Sequence, residues 1–161
     1  MTNEVMPALA SMPECRPING GRDRDNQNWE TEEAAMAGVE AKLFSRPVLE
    51  LALILDQEPR LGRAWRVIEL NYQNVDLRLD EAAKLAGTSR ARLNILLRRA
   101  VGLTFHQLLV RYRLFQAVNA MASDDCGLLV AALAVGFGSE RTFQRNFRRI
   151  FGAAPRSWRI S

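Results

Sequence analysis

A short stretch near the carboxyl terminus, residues 139–151, combines several basic side chains with an amide and almost no acid. On a helix, its outward-facing polar side chains are Arg141, Gln144, Arg145, Arg148 and Arg149. Guanidinium and amide groups form paired hydrogen bonds with guanine and adenine edges in the major groove of DNA. The first three lie in the first two turns and are candidates for base contacts, whereas Arg148 and Arg149 come later and suit phosphate. A solvated basic face is the competing interpretation.

The apolar residues of the same stretch predict how a helix positions these side chains. Phenylalanines recur every four residues, which is the spacing of one buried helix face: Phe143, Phe147 and Phe151. Glu140 can pair with Arg141 or Arg145, or accept a hydrogen bond from a cytosine amino group. The sequence therefore predicts a helix over residues 139–151 with an aromatic inner face and a basic outer face.

The pattern occurs twice in the chain. A shift of fifty residues pairs Ser89 with Ser139, Leu93 with Phe143, Leu97 with Phe147, Arg98 with Arg148, and Gly102 with Gly152. With a slip of one residue, Ala83 and Gly87 match Ala132 and Gly136. Each copy is a short helix, a turn with glycine and a longer basic helix that ends at glycine. In a helix-turn-helix of this kind the second helix enters the major groove of DNA.

The longer helix of the first copy, residues 89–100, carries a second set of candidates. Its predicted outward-facing residues are Arg90, Ala91, Asn94, Ile95 and Arg98. Asn94 can pair with an adenine edge, while Ala91 and Ile95 can contact thymine methyl groups. The two arginines lie nearer the flanks and suit phosphate contacts. An exposed Ile95 can instead contact another protein.

The remaining chain predicts the elements that hold these helices. Helices are predicted at about Trp29–Leu43, Val48–Gln57, Leu61–Asn71, Leu79–Ala86, Thr104–Ala122 and Leu128–Val135. The apolar run at 48–55 alone also fits a buried strand, but its Ala, Leu and Glu content favours a helix. At a rise of ~1.5 Å per residue, the helix at 104–122 spans about 28 Å. This length approaches the ~34 Å between successive major grooves on one side of DNA and suits a connector between two helix-turn-helix units.

Charge is distributed unevenly along the chain. Residues 60–161 contain 17 Arg and Lys against 7 Asp and Glu, whereas residues 1–59 contain 5 against 11. The two parts carry net charges of +10 and −6, which give the formal total of +4. The basic part suits a polyanionic partner, and the acidic excess can compete with DNA for the basic surface.

The sequence offers little for catalysis or metal binding. The chain has two cysteines, far apart and without CxxC spacing, and His106 is its single histidine. It has no phosphate-binding loop and no nucleophile elbow. We therefore expect no enzymatic activity, no metal and no cofactor. No apolar run reaches the ~18 residues of a membrane span, so no membrane association is expected.

Residues from about 60 to 161 resemble the DNA-binding domain of AraC/XylS-type transcription regulators. The most specific motifs are Ala132-Leu-Ala-Val-Gly-Phe137, Phe143-Gln-Arg-Asn-Phe-Arg-Arg149, Phe151-Gly152 and Pro155-x-x-Trp158-Arg159. Residues 79–89 and 98–105 match the first copy of the family's repeat. The family often has Arg at the position of Ile95, so the first helix is expected to read bases weakly or through apolar contacts.

The resemblance implies an all-α fold, in which two helix-turn-helix subdomains are joined by a long central helix and preceded by a helical extension. The expected organisation is disorder at 1–30, a helical extension at 31–58 for regulation or dimerisation, and a DNA-binding domain at 60–161. Within that domain, the two helix-turn-helix units are expected at 79–100 and 128–151, and the linker helix at 104–122. The helix at 48–55 can dock on the domain or form a homodimer, and the short connection at Pro59 favours docking. Full-length relatives often carry a sensor domain of well over a hundred residues, which about sixty residues cannot form.

The implied function is a sequence-specific transcription regulator that reads two adjacent major-groove segments of double-stranded DNA. Activation is the commoner role in the family, and RNA polymerase is a further expected partner. The expected location is the bacterial cytoplasm, at the nucleoid. The alternative is a protein-interaction module that binds RNA polymerase or another regulator through the same fold.

Overall fold

A computed structural model describes residues 29–123 and 128–157, and these residues form α-helices without any strand. The helices are α1 (Trp29–Phe44), α2 (Val48–Asp56), α3 (Pro59–Asn71), α4 (Leu79–Leu85), α5 (Arg90–Val101), α6 (Phe105–Ser123), α7 (Leu128–Ala134) and α8 (Glu140–Phe151). The all-α prediction is confirmed, and every predicted helix is present with ends within two residues of those expected. The disorder predicted for residues 1–30 concerns a segment that lies almost wholly outside the described residues.

The two longer helices of the repeat, α5 and α8, begin and end with the same local interactions. The hydroxyl oxygens of Ser89 and Ser139 accept the backbone N–H three residues on, at 3.3 and 3.2 Å. These bonds satisfy donors that have no partner in a first helical turn. Both helices end at a glycine with positive φ, 73° at Gly102 and 75° at Gly152. The repeat seen in the sequence therefore includes the residues that cap both ends of α5 and α8.

The turns inside the two helix-turn-helix units also match. We call α4–α5 the first unit and α7–α8 the second unit. Gly87 and Gly136 have φ of 69° and 85°, a left-handed conformation that favours glycine. The N–H of the next residue donates to the carbonyl of Ala83 in the first unit and of Ala132 in the second, at 3.0 and 3.1 Å. Both alanines are buried, which allows the two helices of each unit to approach closely.

Helix α6 lies at the centre of the molecule, in contact with α1, α5, α7 and α8. Its buried apolar residues are Phe105, Leu108, Leu109, Val110, Tyr112, Leu114, Ala117 and Val118. The apolar positions that the sequence predicts for this helix are Phe105, Leu108, Leu109, Tyr112, Phe115 and Met121. The first four are confirmed as buried, whereas Phe115 and Met121 are half-buried. Burial of Leu114 and Val118 was not predicted. It follows from helices packing on several sides of α6 at once.

Helix α3 presents one stripe of apolar residues to the core, at the i, i+4, i+7 and i+11 spacing that predicts a buried helix face. Its four members, all buried, are Leu61, Trp65, Ile68 and Tyr72. The helix begins two residues earlier than predicted, because Pro59 occupies its first position and Glu58 caps it. The Glu58 carboxylate accepts the backbone N–H groups of Arg60 and Leu61, each at 3.1 Å.

The amino-terminal helices belong to the same apolar core as the two units. Helix α2 packs against α3 and α5, whereas α1 packs against α6 and α8. Leu51 and Leu55 of α2 are buried, while Leu49 and Leu53 are 75% and 60% exposed. The run at 48–55 is therefore a helix docked on the rest of the chain. Its use for dimerisation stays a prediction.

Candidate nucleic-acid interface

Helix α8 separates an aromatic face from a basic one. Phe143 and Phe147 are fully buried, and Phe151 is 8% exposed. Their rings pack in succession, with centroids 5.6 and 4.4 Å apart. The predicted arginine candidates of this helix are all exposed: Arg141, Arg145, Arg148 and Arg149. Packing of the phenylalanines fixes the rotation of α8 and so presents the arginines to solvent.

Gln144 and Glu140 form a pair on the same helix. The Gln144 side-chain Nε2 donates to Glu140 Oε1 at 2.7 Å, and both residues are half-buried. Arg156 lies 4.0 Å from the same carboxylate oxygen. The partners of Glu140 are thus Gln144 and Arg156, whereas the sequence suggested Arg141 or Arg145. The contact holds the Gln144 amide in one orientation next to the exposed arginines.

Four of the five candidates on α5 are exposed, as predicted: Arg90, Ala91, Ile95 and Arg98. Ile95 is 49% exposed. The Arg90 guanidinium lies 2.9 Å from the Asp80 carboxylate, and both side chains are about two-thirds exposed. An exposed pair of this kind stabilises a fold by at most about 1 kcal/mol, so Arg90 can exchange Asp80 for another anion.

Asn94 is placed differently from the prediction. It is half-buried, and its Oδ1 accepts the backbone N–H of Phe105 at 3.0 Å. This bond caps the first turn of α6, whose N–H groups have no partner within the helix. Asn94 therefore joins α5 to α6. An adenine contact by Asn94 stays a prediction, and a bidentate contact requires this oxygen to leave Phe105.

A cleft of about 400 Å³ opens beside α8, between α6 and the loop that follows α3. Its titratable lining residues are His106, Arg113, Arg145 and Arg149. No carboxylate lines it among the described residues. The cleft is therefore electropositive and extends the basic surface of α8 towards α6 and the loop that follows α3.

Arg113 was not among the residues predicted from the sequence. It is 7% exposed, and its guanidinium donates to the carbonyls of Tyr72 at 2.7 Å and Asn74 at 2.6 Å. Burial lowers the pKa of Arg113; burial, and then the charge of Arg149, lowers the pKa of Arg111. Arginine starts so high that both remain protonated at neutral pH. The signal in the sequence that could have identified Arg113 is a charged residue within the apolar run of α6.

Other kinds of site find no support in residues 29–123 and 128–157. No group of three His, Cys, Asp or Glu side chains there could hold a metal ion. No helix in the same ranges is long and apolar enough to cross a membrane. The distinctive chemical feature of the described chain is its basic surface.

Residues 82–161 match the family described as "Helix-turn-helix domain". The chain is 29% identical over 95 residues to the "Probable transcription factor PqrA" of Proteus vulgaris, covering 59% of this chain and 77% of that protein. It is 27% identical over 92 residues to the "Putative HTH-type transcriptional regulator YkgA" of Escherichia coli (strain K12), covering 57% of this chain. The chain spans only 38% of the length of that second relative.

The fold is also similar to that of solved structures. One is the DNA-binding domain of AdpA, described as a global transcriptional factor and solved in complex with a target DNA. It superposes with a TM-score of 0.57 at 23% identity, and the match covers 62% of this chain and 88% of that domain. This similarity extends the helix-turn-helix assignment from sequence to three-dimensional arrangement.

Proposed function

Because the chain belongs to the AraC/XylS family of helix-turn-helix transcription regulators, which are DNA-binding proteins and not enzymes, we propose that it binds duplex DNA through α5 and α8 together. The observation that carries the proposal is the division of α8, whose buried phenylalanines present a row of exposed arginines. Its structural neighbour AdpA was solved with target DNA, which supports the same class of partner here.

On α8, Arg141 and Arg145 contact base edges, and Gln144 does so from its position between them. Arginine pairs with guanine O6 and N7, and glutamine with adenine N6 and N7. The bond from Gln144 to Glu140 restricts the amide before DNA arrives, so less side-chain entropy is lost on binding. Arg148 and Arg149 bind backbone phosphates.

On α5, the contacts are weaker and more apolar. Ala91 and Ile95 lie against thymine methyl groups, while Arg90 and Arg98 hold phosphates on either side. Ile95 has about half of its surface available for such a contact. We expect the DNA element read by α5 to be less sharply defined than the one read by α8.

The two helices act from one chain because α6 connects their units. At ~1.5 Å per residue, its 19 residues span about 28 Å. Two elements roughly one helical turn apart on one side of DNA therefore suit a single copy of the chain. The electropositive cleft beside α8, between α6 and the loop that follows α3, suits a backbone phosphate of the DNA that lies between the elements.

The experiment that tests the proposal is selection of binding sites from a random duplex library with the purified chain, at a stated salt concentration near physiological. We expect two enriched elements about one helical turn apart, the better defined one belonging to α8. Enrichment of one element means that α5 reads little. Salt-sensitive binding to all duplexes without enrichment contradicts sequence-specific recognition.

Single variants assign the two kinds of contact. Arg141→Ala and Arg145→Ala should each cost about 1–3 kcal/mol of binding and relax the preference at one base pair. Arg148→Ala should weaken binding to all sequences alike and reduce the salt slope by about 1. Arg66→Ala removes an equal charge from an exposed position on α3, so it should leave base preference unchanged. Equal losses on every sequence for Arg66→Ala and Arg145→Ala contradict base readout by α8.

The second candidate is a protein-interaction module that binds RNA polymerase or another regulator. It is favoured by Ile95 and by the apolar side chains of α7, which are 47–49% exposed: Leu129, Val130 and Leu133. A homodimer through residues 31–58 is a related proposal, supported by exposed Leu49 and Leu53. A folded Arg141→Ala, Arg145→Ala double variant that retains promoter control supports the module. Loss of control supports DNA reading, and its direction shows whether the chain activates or represses.

A further inference from the structure

The second helix-turn-helix unit approaches the loop between α3 and α4 through backbone atoms. The turn of the second unit, residues 136–138, lies against the loop that follows α3, residues 72–75. A Cβ placed on Gly136 would lie 2.4 Å from the Tyr72 carbonyl oxygen and 2.8 Å from that of Gln73. Such distances leave no room for a side chain. We call these two segments, together with Arg113, the inter-unit junction.

Arg113 joins α6 to the same loop. Its Nε and Nη2 donate to the carbonyls of Tyr72 and Asn74, at 2.7 and 2.6 Å. These carbonyls follow the last turn of α3, where backbone acceptors have no partner within the helix. No ion pair to Arg113 is found in the described part of the chain. A buried guanidinium held by carbonyls is costly to displace, since the buried charge would lose both of these hydrogen bonds. The Asn74 carbonyl would keep one partner, because it also accepts the Leu77 N–H at 3.1 Å.

The neighbouring residue attaches α6 to α3 as well. The Tyr112 ring contacts Trp65 and Tyr72 edge to face, with centroids 5.1 and 5.4 Å apart. Helix α3 packs in turn against α4 and α5, while α6 packs against α7 and α8. The junction therefore connects the first unit to the second through α3 and α6. A change in the angle between the units has to break the two Arg113 hydrogen bonds or separate the backbone contact at Gly136.

We infer that Arg113 is a positioning residue that sets the separation and angle of α5 and α8, and thereby determines which spacing between two DNA elements the chain accepts. The inference rests on the proposed two-unit binding to DNA. Arg113 lines the cleft but acts through the Tyr72 loop rather than on base edges. A substitution of Arg113 should therefore change which spacings between the two DNA elements are tolerated, without changing the bases that each helix prefers.

The test uses duplexes that carry both selected elements with spacers shortened or lengthened by one or two base pairs. The unaltered chain should bind one spacing best, because other spacings require the junction to open. Arg113→Met removes both hydrogen bonds, each charge-assisted, so the preference for the best spacing should fall roughly tenfold or more. Arg113→Lys retains the charge and can reach one carbonyl, so it should restore part of the preference.

Two controls separate this role from general stability. Arg66→Met, on the exposed side of α3, should leave the spacing preference unchanged. Base preferences within each element, determined for Arg113→Met by repeating the selection, should match those of the unaltered chain. If Arg113→Met does not fold, Arg113→Lys carries the test with a smaller broadening.

The outcomes distinguish the inference from the proposed function. Failure of the unaltered chain to select two elements overturns both. If the unaltered chain selects two elements, and Arg113→Lys and any folded Arg113→Met show the same spacing preference as the unaltered chain, only the role of Arg113 is overturned. Altered base preference in Arg113→Met also overturns it, because a positioning residue should not change readout.

Discussion

Gly136→Ala should destabilise the chain more than the same substitution at two other glycines with similar backbone geometry. Gly136, Gly102 and Gly152 have φ of 85°, 73° and 75°. The space around them differs: a Cβ at Gly102 or Gly152 meets nothing within 4 Å, whereas at Gly136 it meets the Tyr72 carbonyl oxygen at 2.4 Å. The two capping glycines are therefore matched controls for the conformational part of the effect.

The expected magnitude follows from two separate costs. A left-handed conformation costs a residue with a Cβ about 1–2 kcal/mol, which is the whole effect expected for Gly102→Ala and Gly152→Ala. Overpacking adds about 1–3 kcal/mol at Gly136, for a total of roughly 2–5 kcal/mol. The clash is with backbone, so it cannot be relieved by a side-chain rotation. Displacing the Tyr72 carbonyl also disturbs its hydrogen bond from Arg113.

Urea unfolding followed by circular dichroism measures these differences, with unchanged m-values showing that the unfolding reaction is the same. Equal losses for the three alanine variants would refute the reasoning, since backbone strain alone would then account for Gly136. The combination of Gly136→Ala with Arg113→Met should cost less than the sum of the single changes. The two substitutions disturb one shared carbonyl, and neighbouring sites of that kind are not additive.

Two further predictions concern α6. Asn94→Ala should cost about 1 kcal/mol of stability, because it removes the acceptor for the Phe105 N–H, whereas Asn94→Asp should retain stability. Urea unfolding compares the two variants, and equal losses of stability would contradict the capping role. Burial raises the pKa of Tyr112 to about 12, helped by the charge of Glu69 and opposed by a hydrogen bond with Gln116. The contribution of Tyr112 to stability should therefore be constant below the unfolded pKa of about 10 and fall as the pH rises from there towards 12. Urea unfolding and tyrosinate absorbance measure this fall. A Tyr112→Phe variant that loses the same stability between about pH 10 and 12 would contradict the assignment to Tyr112.

The helices and the turns could be predicted from the sequence because their signals are local. Ser89 and Ser139 cap through bonds three residues away, and the glycines that end α5 and α8 act on the turn just before them. The exposure of the α8 arginines could be predicted for the same reason, because the phenylalanine spacing identifies the buried face of the helix and therefore the exposed face opposite it. Their contact with bases stays a prediction.

The parts that were missed depend on residues far apart in the chain. Arg113 binds carbonyls 39 and 41 residues earlier, and a backbone carbonyl leaves no mark on residue type. Asn94 has an outward position on a helical projection of α5, yet α6 returns over it and places the Phe105 N–H within reach. Periodicity identifies which face of one helix is polar, but it does not identify which polar residues another helix will cover.

The packing of the amino-terminal helices narrows how the acidic half of the chain could affect DNA binding. Helix α1 contacts the second unit and α2 the first, so this part of the chain holds both units on the core side. With both helices in place, Arg141, Arg145 and Arg148 remain exposed. The described acidic side chains of α1 and α2, which are Glu40, Glu50 and Asp56, therefore leave these arginines uncovered. Competition between these three carboxylates and DNA has to act through their long-range field. That field is screened over about 10 Å at 0.1 M salt. The hydrogen bonds of Arg113, which hold α6 to the loop after α3, involve a side chain that is only 7% exposed and are far less sensitive to salt. Ionic strength should thus modulate how strongly the chain binds while leaving the geometry set by Arg113 unchanged.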